Sequence, residues 1–279
     1  MNLKINDPYF SYSSVPVLKD ICADIGGNKL ISILGPNGVG KSTLIHCINK
    51  ILEPTRGSVL LDGKDVSEIK VKELAKEIGY VPYSANDSFP LSVIDTVLIG
   101  RHPHSKWGSL DNDLSIVYDT LRMLGISHLA MRSFNELSAG QHQKVMLARG
   151  LVQEPRILLL DEPTSNLDVR HQLDVTKMLK RLSREREMLV IMISHDINIA
   201  AKYSDQIILM NEGTIYDVGA PDKVITEDNL RTVYGVIAEI TSDDGAPHVI
   251  LKDTVPFEDS PDSIESVESK PTEGDSVSV

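Results

Sequence analysis

Nine consecutive residues, Gly35-Pro36-Asn37-Gly38-Val39-Gly40-Lys41-Ser42-Thr43, have the types and spacing to hold a chain of phosphates. Glycines let backbone N–H groups approach phosphate oxygens with no Cβ in the way. A helix starting at the end of the run adds unpaired N–H groups and the positive end of its dipole. Lys41 would set an ammonium on the β- and γ-phosphates, and Ser42 a hydroxyl on Mg²⁺. The pattern carries weight only between a strand and a helix. Leu30-Ile31-Ser32-Ile33-Leu34 before it and Leu44-Ile45-His46-Cys47-Ile48 after it have that character. The chemistry is that of a nucleoside triphosphate.

Four further stations follow along the chain. Ile157-Leu158-Leu159-Leu160-Asp161-Glu162 puts two carboxylates at the tip of a fully apolar strand. Asp161 suits a strand-end Mg²⁺ holder, and Glu162 a general base for an attacking water. Strand-end acids also serve as plain caps, and it is the phosphate loop upstream that gives these two a role. Leu137-Ser138-Ala139-Gly140-Gln141 opens a helix as a second anion-binding N-terminus, although alone it is only a good helix cap. Ser165-Asn166-Leu167-Asp168 is a comparable cap before a helix at 169. His195, in Ser194-His195-Asp196, follows a strand. A lone histidine there is more often structural, and the order of motifs is what points it at the γ-phosphate.

The elements that must position these groups alternate between strand and helix. Strands are predicted over 3–5, 15–25 and 30–34, with Gly26-Gly27-Asn28 as a hairpin turn. A helix over 42–50 follows, then a strand entering a turn over 57–64, a helix over 71–77 and a buried strand at 78–82. Residues 92–135 are helical by period, with Val93, Val97 and Leu98 on one face and Leu114, Val117, Leu121 and Leu124 on another. The helix of the second anion site covers 143–151. After the strand at 157–160 come a helix over 169–182, a strand over 188–193 and a hairpin of 206–210 with 214–218. The sum is an α/β fold with a largely parallel sheet, whose C-terminal edge carries the ligand loops. A helical subdomain is inserted over about 84–150.

Composition limits the partners. A formal charge of −12 argues against nucleic acid, which needs a basic face. Residues 253–279 hold eight acids, one lysine, three prolines and six serines without apolar periodicity, the signature of a disordered acidic tail. Cys22 and Cys47 adjoin apolar segments and are expected as buried free thiols in a reducing compartment. Met1-Asn2-Leu3-Lys4-Ile5 runs straight into Asn6-Asp7-Pro8, so no secretory leader is expected. No apolar run nears the ~20 residues of a membrane span. The expected place is the cytoplasm, with any membrane contact made through a partner.

Taken in order, the loop 35–43, the segment 137–141, the acids 161–162, the loop 165–168 and His195 resemble the nucleotide-binding subunit of an ATP-binding-cassette transporter, over residues 3–240. The resemblance implies a P-loop NTPase core with a mostly parallel sheet, an N-terminal antiparallel β subdomain and an inserted helical subdomain, all within 1–252. It implies ATP with Mg²⁺, and two copies paired head to tail around two ATP molecules. Lys41, Glu162 and His195 would then be catalytic. The loop residues Gly35 to Thr43 would hold ATP, joined by Ser138, Gly140 and Gln141 of the signature acting on the partner's γ-phosphate. Tyr12 matches the aromatic that stacks on adenine, with Phe10 or Tyr9 in its place if the register slips. Integral permease subunits, and indirectly a substrate-binding protein, are the implied partners, which would put the chain on the inner face of the cell membrane.

A narrower resemblance lies in Val97-Leu98-Ile99-Gly100-Arg101-His102-Pro103-His104, Asp168-Val169-Arg170-His171-Gln172-Leu173 and Leu230-Arg231-Thr232-Val233-Tyr234-Gly235. These strings resemble importers of iron-siderophores, haem and cobalamin, and other metal importers share parts of them. Two positions depart from the family. Ala139 replaces a glycine of the signature, a modest change if its φ is negative. Tyr83 stands where a glutamine links Mg²⁺ to the helical subdomain, so the metal set becomes Ser42, Asp161 and Tyr83, with Ser84 or Asn86 as substitutes from a shifted loop. Three functions remain open: a transport ATPase, a cytosolic cassette ATPase serving cofactor assembly, and a low-turnover switch that dimerises on ATP. The roughly 100 residues between Lys41 and Ser138 leave no room for the long coiled coil of DNA-repair relatives.

Overall fold

The computed structural model describes residues 1–83, 91–105 and 110–256. Its N-terminal part is antiparallel. In β1 (Asn2–Tyr12), Leu3 and Ile5 are buried and Lys4 between them is exposed, the alternation of a half-covered strand. The strand predicted over 15–25 is in fact two. β2 (Val15–Leu18) and β3 (Cys22–Gly26) pair with opposite ends of β1, and the chain turns between them at Asp20, whose φ is 52°. Gly26-Gly27-Asn28 is not a hairpin turn either. The next strand, β4 (Leu30–Leu34), joins a different sheet and pairs in parallel on both sides. All of its residues are buried, and a strand covered on both faces belongs inside an α/β sheet.

After the loop comes α1 (Lys41–Ile48), then β5 (Arg56–Leu61) returning along β1 and turning into β6 (Lys64–Asp65). α2 (Val71–Glu77) and β7 (Ile78–Val81) follow where the sequence predicts them. The next stretch is helical, with α3 (Val93–Leu98), a 3-10 turn over Ile99–His104, α4 (Leu110–Met123) and α5 (Ala139–Leu151). Val93, Val97, Val117, Leu121 and Leu124 are buried, and the cluster they form continues through Val81, Leu158, Leu160, Val190 and Met192. These helices therefore share their core with one face of the sheet. A buried ion pair ties them together: Arg101 Nε donates to Asp113 at 2.8 Å and its Nη1 to the Val152 carbonyl at 2.6 Å, so the guanidinium is compensated.

β8 (Ile157–Leu160), α6 (Val169–Glu185), β9 (Leu189–Ile193), α7 (Ile197–Tyr203), β10 (Gln206–Asn211) and β11 (Thr214–Gly219) complete the main sheet. Its order is β11-β10-β4-β9-β8-β7, parallel except for the β10–β11 hairpin. Strand order decides the site. Ile33 lies opposite Ile193 and Leu160 opposite Met192, so β4, β9 and β8 end side by side. Segments more than a hundred residues apart leave the sheet at one edge.

Beyond the sheet, α8 (Pro221–Val224) and α9 (Glu227–Tyr234) lead to a hairpin of β12 (Val236–Asp243) and β13 (Ala246–Thr254) that the sequence analysis missed. Its signal was present in Asp244-Gly245, both at positive φ, which suits a two-residue hairpin turn. Asp253 and Thr254 are thus paired strand, and the remainder of the acidic tail, 257–279, lies outside the described residues. Cys47 is buried and its thiol is pushed up to about 11 by that burial, which keeps it unreactive. Cys22, expected inside, is exposed, because it sits at an outward position of β3.

Candidate functional site

The loop 35–43 takes its shape from glycines that nothing else can replace. Gly35 has φ 146°, and a Cβ there would stand 2.3 Å from the Met210 carbonyl oxygen. Gly40, at φ 98°, caps α1, and a Cβ would stand 2.7 Å from the Val17 oxygen. Gly38 is different: it has φ 82°, and the space where a Cβ would point is open within 4 Å. Backbone N–H groups around such a concavity form an anion cradle. Lys41 is 6% exposed, and its ammonium donates to the Gly35 and Pro36 carbonyls at 2.7 Å each. Burial pushes the Lys41 ammonium below its usual range, against the upward pull of the Glu162 and Asp161 charges.

Ser42 Oγ donates to Asp161 Oδ1 at 3.0 Å, joining the start of α1 to the tip of β8. Burial raises the Asp161 carboxyl above its usual range, opposed by the Ser42 hydrogen bond and the nearby His46 and Lys41. A hydroxyl and one carboxylate are hard oxygen donors of the kind Mg²⁺ takes when a triphosphate and water supply the rest. Among the described residues no group of three or more His, Cys, Asp or Glu forms a cage of its own for a metal.

Glu162 sits at φ 49°, a left-handed conformation that turns its side chain away from the strand line. Its Oε1 is 2.6 Å from His195 Nε2, and its Oε2 accepts from Ser165 Oγ at 2.8 Å. Burial alone would raise its carboxyl, but the His195 and Ser165 hydrogen bonds and the His195 and Lys41 charges outweigh it, so the group is held below the usual range. An ionised carboxylate with both oxygens oriented is what a general base requires. A cavity of about 690 Å³ opens beside Glu162 and His195, walled on its far side by Asn198, Val249 and Leu251.

The other predicted residues stand apart from this group. Ser138 caps α5: its Oγ accepts from the Gln141 N–H at 3.4 Å, and Gln141 Oε1 accepts from the Ser138 N–H at 3.1 Å. This reciprocal box occupies the Gln141 side chain, placed by sequence on the nucleotide, in holding the helix end. Ala139 falls in the first turn of α5 and has no positive φ, so it replaces glycine without strain. Tyr12 is 53% exposed and meets Phe10 in a T-shaped pair, whereas Tyr9 is engaged by the Arg56 guanidinium 4.6 Å above its ring. Of the three aromatics, Tyr12 is the exposed one.

Tyr83, placed by sequence in the metal set, is 48% exposed, and its substitutes Ser84 and Asn86 lie outside the described residues. A second tyrosine in this region, Tyr80, was missed by the sequence analysis. Its hydroxyl lies 3.0 Å from His46 Nε2, and it is pushed up to about 12 by burial and by the Asp161 charge. The signal was His46 four residues after Ser42 on α1, on the same helix face.

A phosphate cradle, a hydroxyl–carboxylate pair and an oriented base at one edge of a parallel sheet define a P-loop nucleoside triphosphatase. Residues 18–165 match the ABC transporter family, and over 90% of its length the chain is 45% identical to an uncharacterized ABC transporter ATP-binding protein of Methanocaldococcus jannaschii, covering 98% of that protein. The chain belongs to the ABC transporter family and is an ATPase. It is 35% identical over 86% of its length to the ferric enterobactin transport ATP-binding protein FepC of Escherichia coli, covering 90% of it. To the cobalamin import ATP-binding protein BtuD of Halobacterium salinarum it is 35% identical over 87% of its length, and there it spans 61% of the relative. A solved ABC transporter in an inward-facing conformation superposes with a TM-score of 0.77 at 28% identity, over 90% of this chain and 96% of that one.

Proposed function

We propose that this chain is the ATP-hydrolysing subunit of an importer, driving uptake of an iron chelate, haem, cobalamin or a related metal compound through a membrane permease. The observation that carries hydrolysis is Glu162, next in the chain to Asp161 of the Ser42–Asp161 pair, held at 2.6 Å by His195 from the neighbouring strand. ATP lies along 35–43 with Lys41 on its terminal phosphates and Tyr12 against its base. Mg²⁺, when bound, neutralises charge developing on the phosphates. Ser42 and Asp161 would hold it, the latter directly or through water. Glu162 accepts the proton of the attacking water, while His195 and Ser165 keep its oxygens aimed and ionised.

Two copies are needed for the site to close. Among the described residues no hydrogen bond joins Ser138 or Gly140 to the chain's own phosphate loop. Head-to-tail pairing brings them to the partner's γ-phosphate instead. The permease sits in a groove of about 330 Å³ between α1, α2 and the turn at 99–104, rimmed by exposed Ile51, Val71 and Ile99. Such an apolar rim suits a short helix of a membrane partner. Through that partner the chain rests on the inner face of the membrane; among the described residues no helix of its own is long and apolar enough to cross one. A binding protein delivers substrate on the other side, and nucleic acid has no part.

Affinity purification from membranes tests the reading: a multi-span membrane protein is expected to co-purify, and recovery of the chain alone or with soluble assembly factors refutes it. Uptake of labelled ferric chelate, haem and cobalamin in cells carrying Lys41→Ala then identifies the substrate. A second reading, the low-turnover switch, draws support from the tyrosine that stands at 83 in place of a glutamine. ATP turnover by the purified chain with its permease separates the two.

A further inference from the structure

The string Asp168-Val169-Arg170-His171 serves neither the nucleotide nor the base in the mechanism above, yet its His171 packs against the signature residue Gly140. Asp168 caps α6 by accepting from the His171 N–H at 2.9 Å. Both Asp168 oxygens also lie 2.9 Å from His171 Nδ1. An ionised carboxylate only accepts, so Nδ1 carries a proton and the ring orientation is fixed from that edge. The other edge lies against the signature. A Cβ at Gly140 would stand 2.7 Å from His171 Cδ2 and 3.1 Å from its Nε2. Gly140 has no positive φ, so within this chain it is the imidazole that excludes a side chain there, not the backbone conformation.

The same turn of α6 grips the loop that carries the base. Gln172 Nε2 donates to the Thr164 carbonyl at 3.2 Å, and the adjoining Ser165 donates to Glu162 at 2.8 Å. Gly140 therefore meets the His171 ring, which Asp168 holds, and the next residue, Gln172, reaches Glu162 through the Thr164 carbonyl and the adjoining Ser165.

We propose that His171 is a positioning residue that couples the signature segment at Gly140 to the chain's own Glu162. This rests on the two-copy reading, in which the signature meets the partner's ATP while Glu162 acts on the ATP held by Lys41. Closure at one ATP is then transmitted through the His171 ring to the base at the other, and hydrolysis at the two sites is cooperative.

Two measurements on the full chain test this. In the first, unfolding midpoints of Gly140→Ala, His171→Ala and the double variant form a cycle. Gly140→Ala is expected to lower the midpoint and the double variant to match His171→Ala alone, because the ring that met the new methyl is gone. Additive midpoints overturn the contact. In the second, His171→Ala with its permease is expected to lose about tenfold in kcat with KM for ATP within about twofold. Its Hill coefficient for ATP should fall to about 1. An unchanged Hill coefficient overturns the coupling, and a rise in KM matching the loss of kcat marks general damage and overturns it too. Size exclusion of Glu162→Gln with ATP keeps the two failures distinct. No ATP-dependent dimer removes the two-copy reading and the cooperativity with it, whereas a dimer that stays cooperative without His171 removes this proposal alone.

Discussion

The tips of β4, β8 and β9 differ in kind from the start of α5 and the end of β7. The first region is internally complete. Ser42 bonds Asp161, His195 and Ser165 bond Glu162, and Lys41 is buried among loop carbonyls. The second region is more open: among the described residues Ser138 is tied into its own helix cap, and Tyr83 is half exposed. A parallel sheet can set three loops within hydrogen-bond reach of each other because its strand spacing is fixed. A helix end on another layer has no such tie, and among the described residues Ser138 makes no hydrogen bond to the phosphate loop. The comparison teaches that a sheet edge gathers groups from distant segments, whereas a capped helix end holds its own residues.

The largest effect should come from breaking the complete region. Glu162→Gln is expected to cut kcat by about 10²–10⁴ with ATP binding intact, and to accumulate an ATP-bound dimer on size exclusion. Hydrolysis at the unmodified rate would remove Glu162 as the base. Gly35→Ala drives a methyl to 2.3 Å from the Met210 oxygen at a φ of 146°, and should cost about 3 kcal/mol in a denaturant titration. An unshifted midpoint would mean that the loop relaxes freely.

Smaller effects sharpen the more open region. Crosslinked heterodimers of a Lys41→Ala chain with a Ser138→Arg chain gather both lesions at one composite site. They should trap about half the nucleotide of the unmodified dimer, and each mutant homodimer next to none. Equal trapping in all three would sink head-to-tail pairing. The smallest change is expected from Tyr83→Gln, which offers a carbonyl oxygen where a neutral phenol is a poor Mg²⁺ ligand. Turnover should rise by about twofold at limiting Mg²⁺ and stay level at saturation. No response at 83, with collapse in Asn86→Ala, would mean that the loop has moved its ligand.

Much of the site was legible because its residues come in contiguous runs. The loop 35–43 carries its own strand and helix, and Leu160-Asp161-Glu162 announces a buried strand ending in acids. Local patterns failed where pairing is non-local. Gly26-Gly27-Asn28 has hairpin chemistry, yet β3 and β4 part because only β4 is buried throughout. The β12–β13 hairpin was missed although Asp244-Gly245 marked it, since its strands are mostly exposed and carry a weak apolar alternation. Tyr80 went unnoticed because nothing in its own segment points to His46, 34 residues away.

The sequence by itself determined the chemistry: a phosphate cradle that needs glycines, a lysine, a hydroxyl and two acids, each type dictated by the atoms it must face. Tertiary structure alone decided who touches whom. Strand order put His195 on Glu162, the left-handed turn at Glu162 opened that carboxylate to two donors, and the packing of α6 laid His171 against Gly140. Residue type is set by local chemistry, whereas contact is set by register and layer packing, which depend on the whole chain at once.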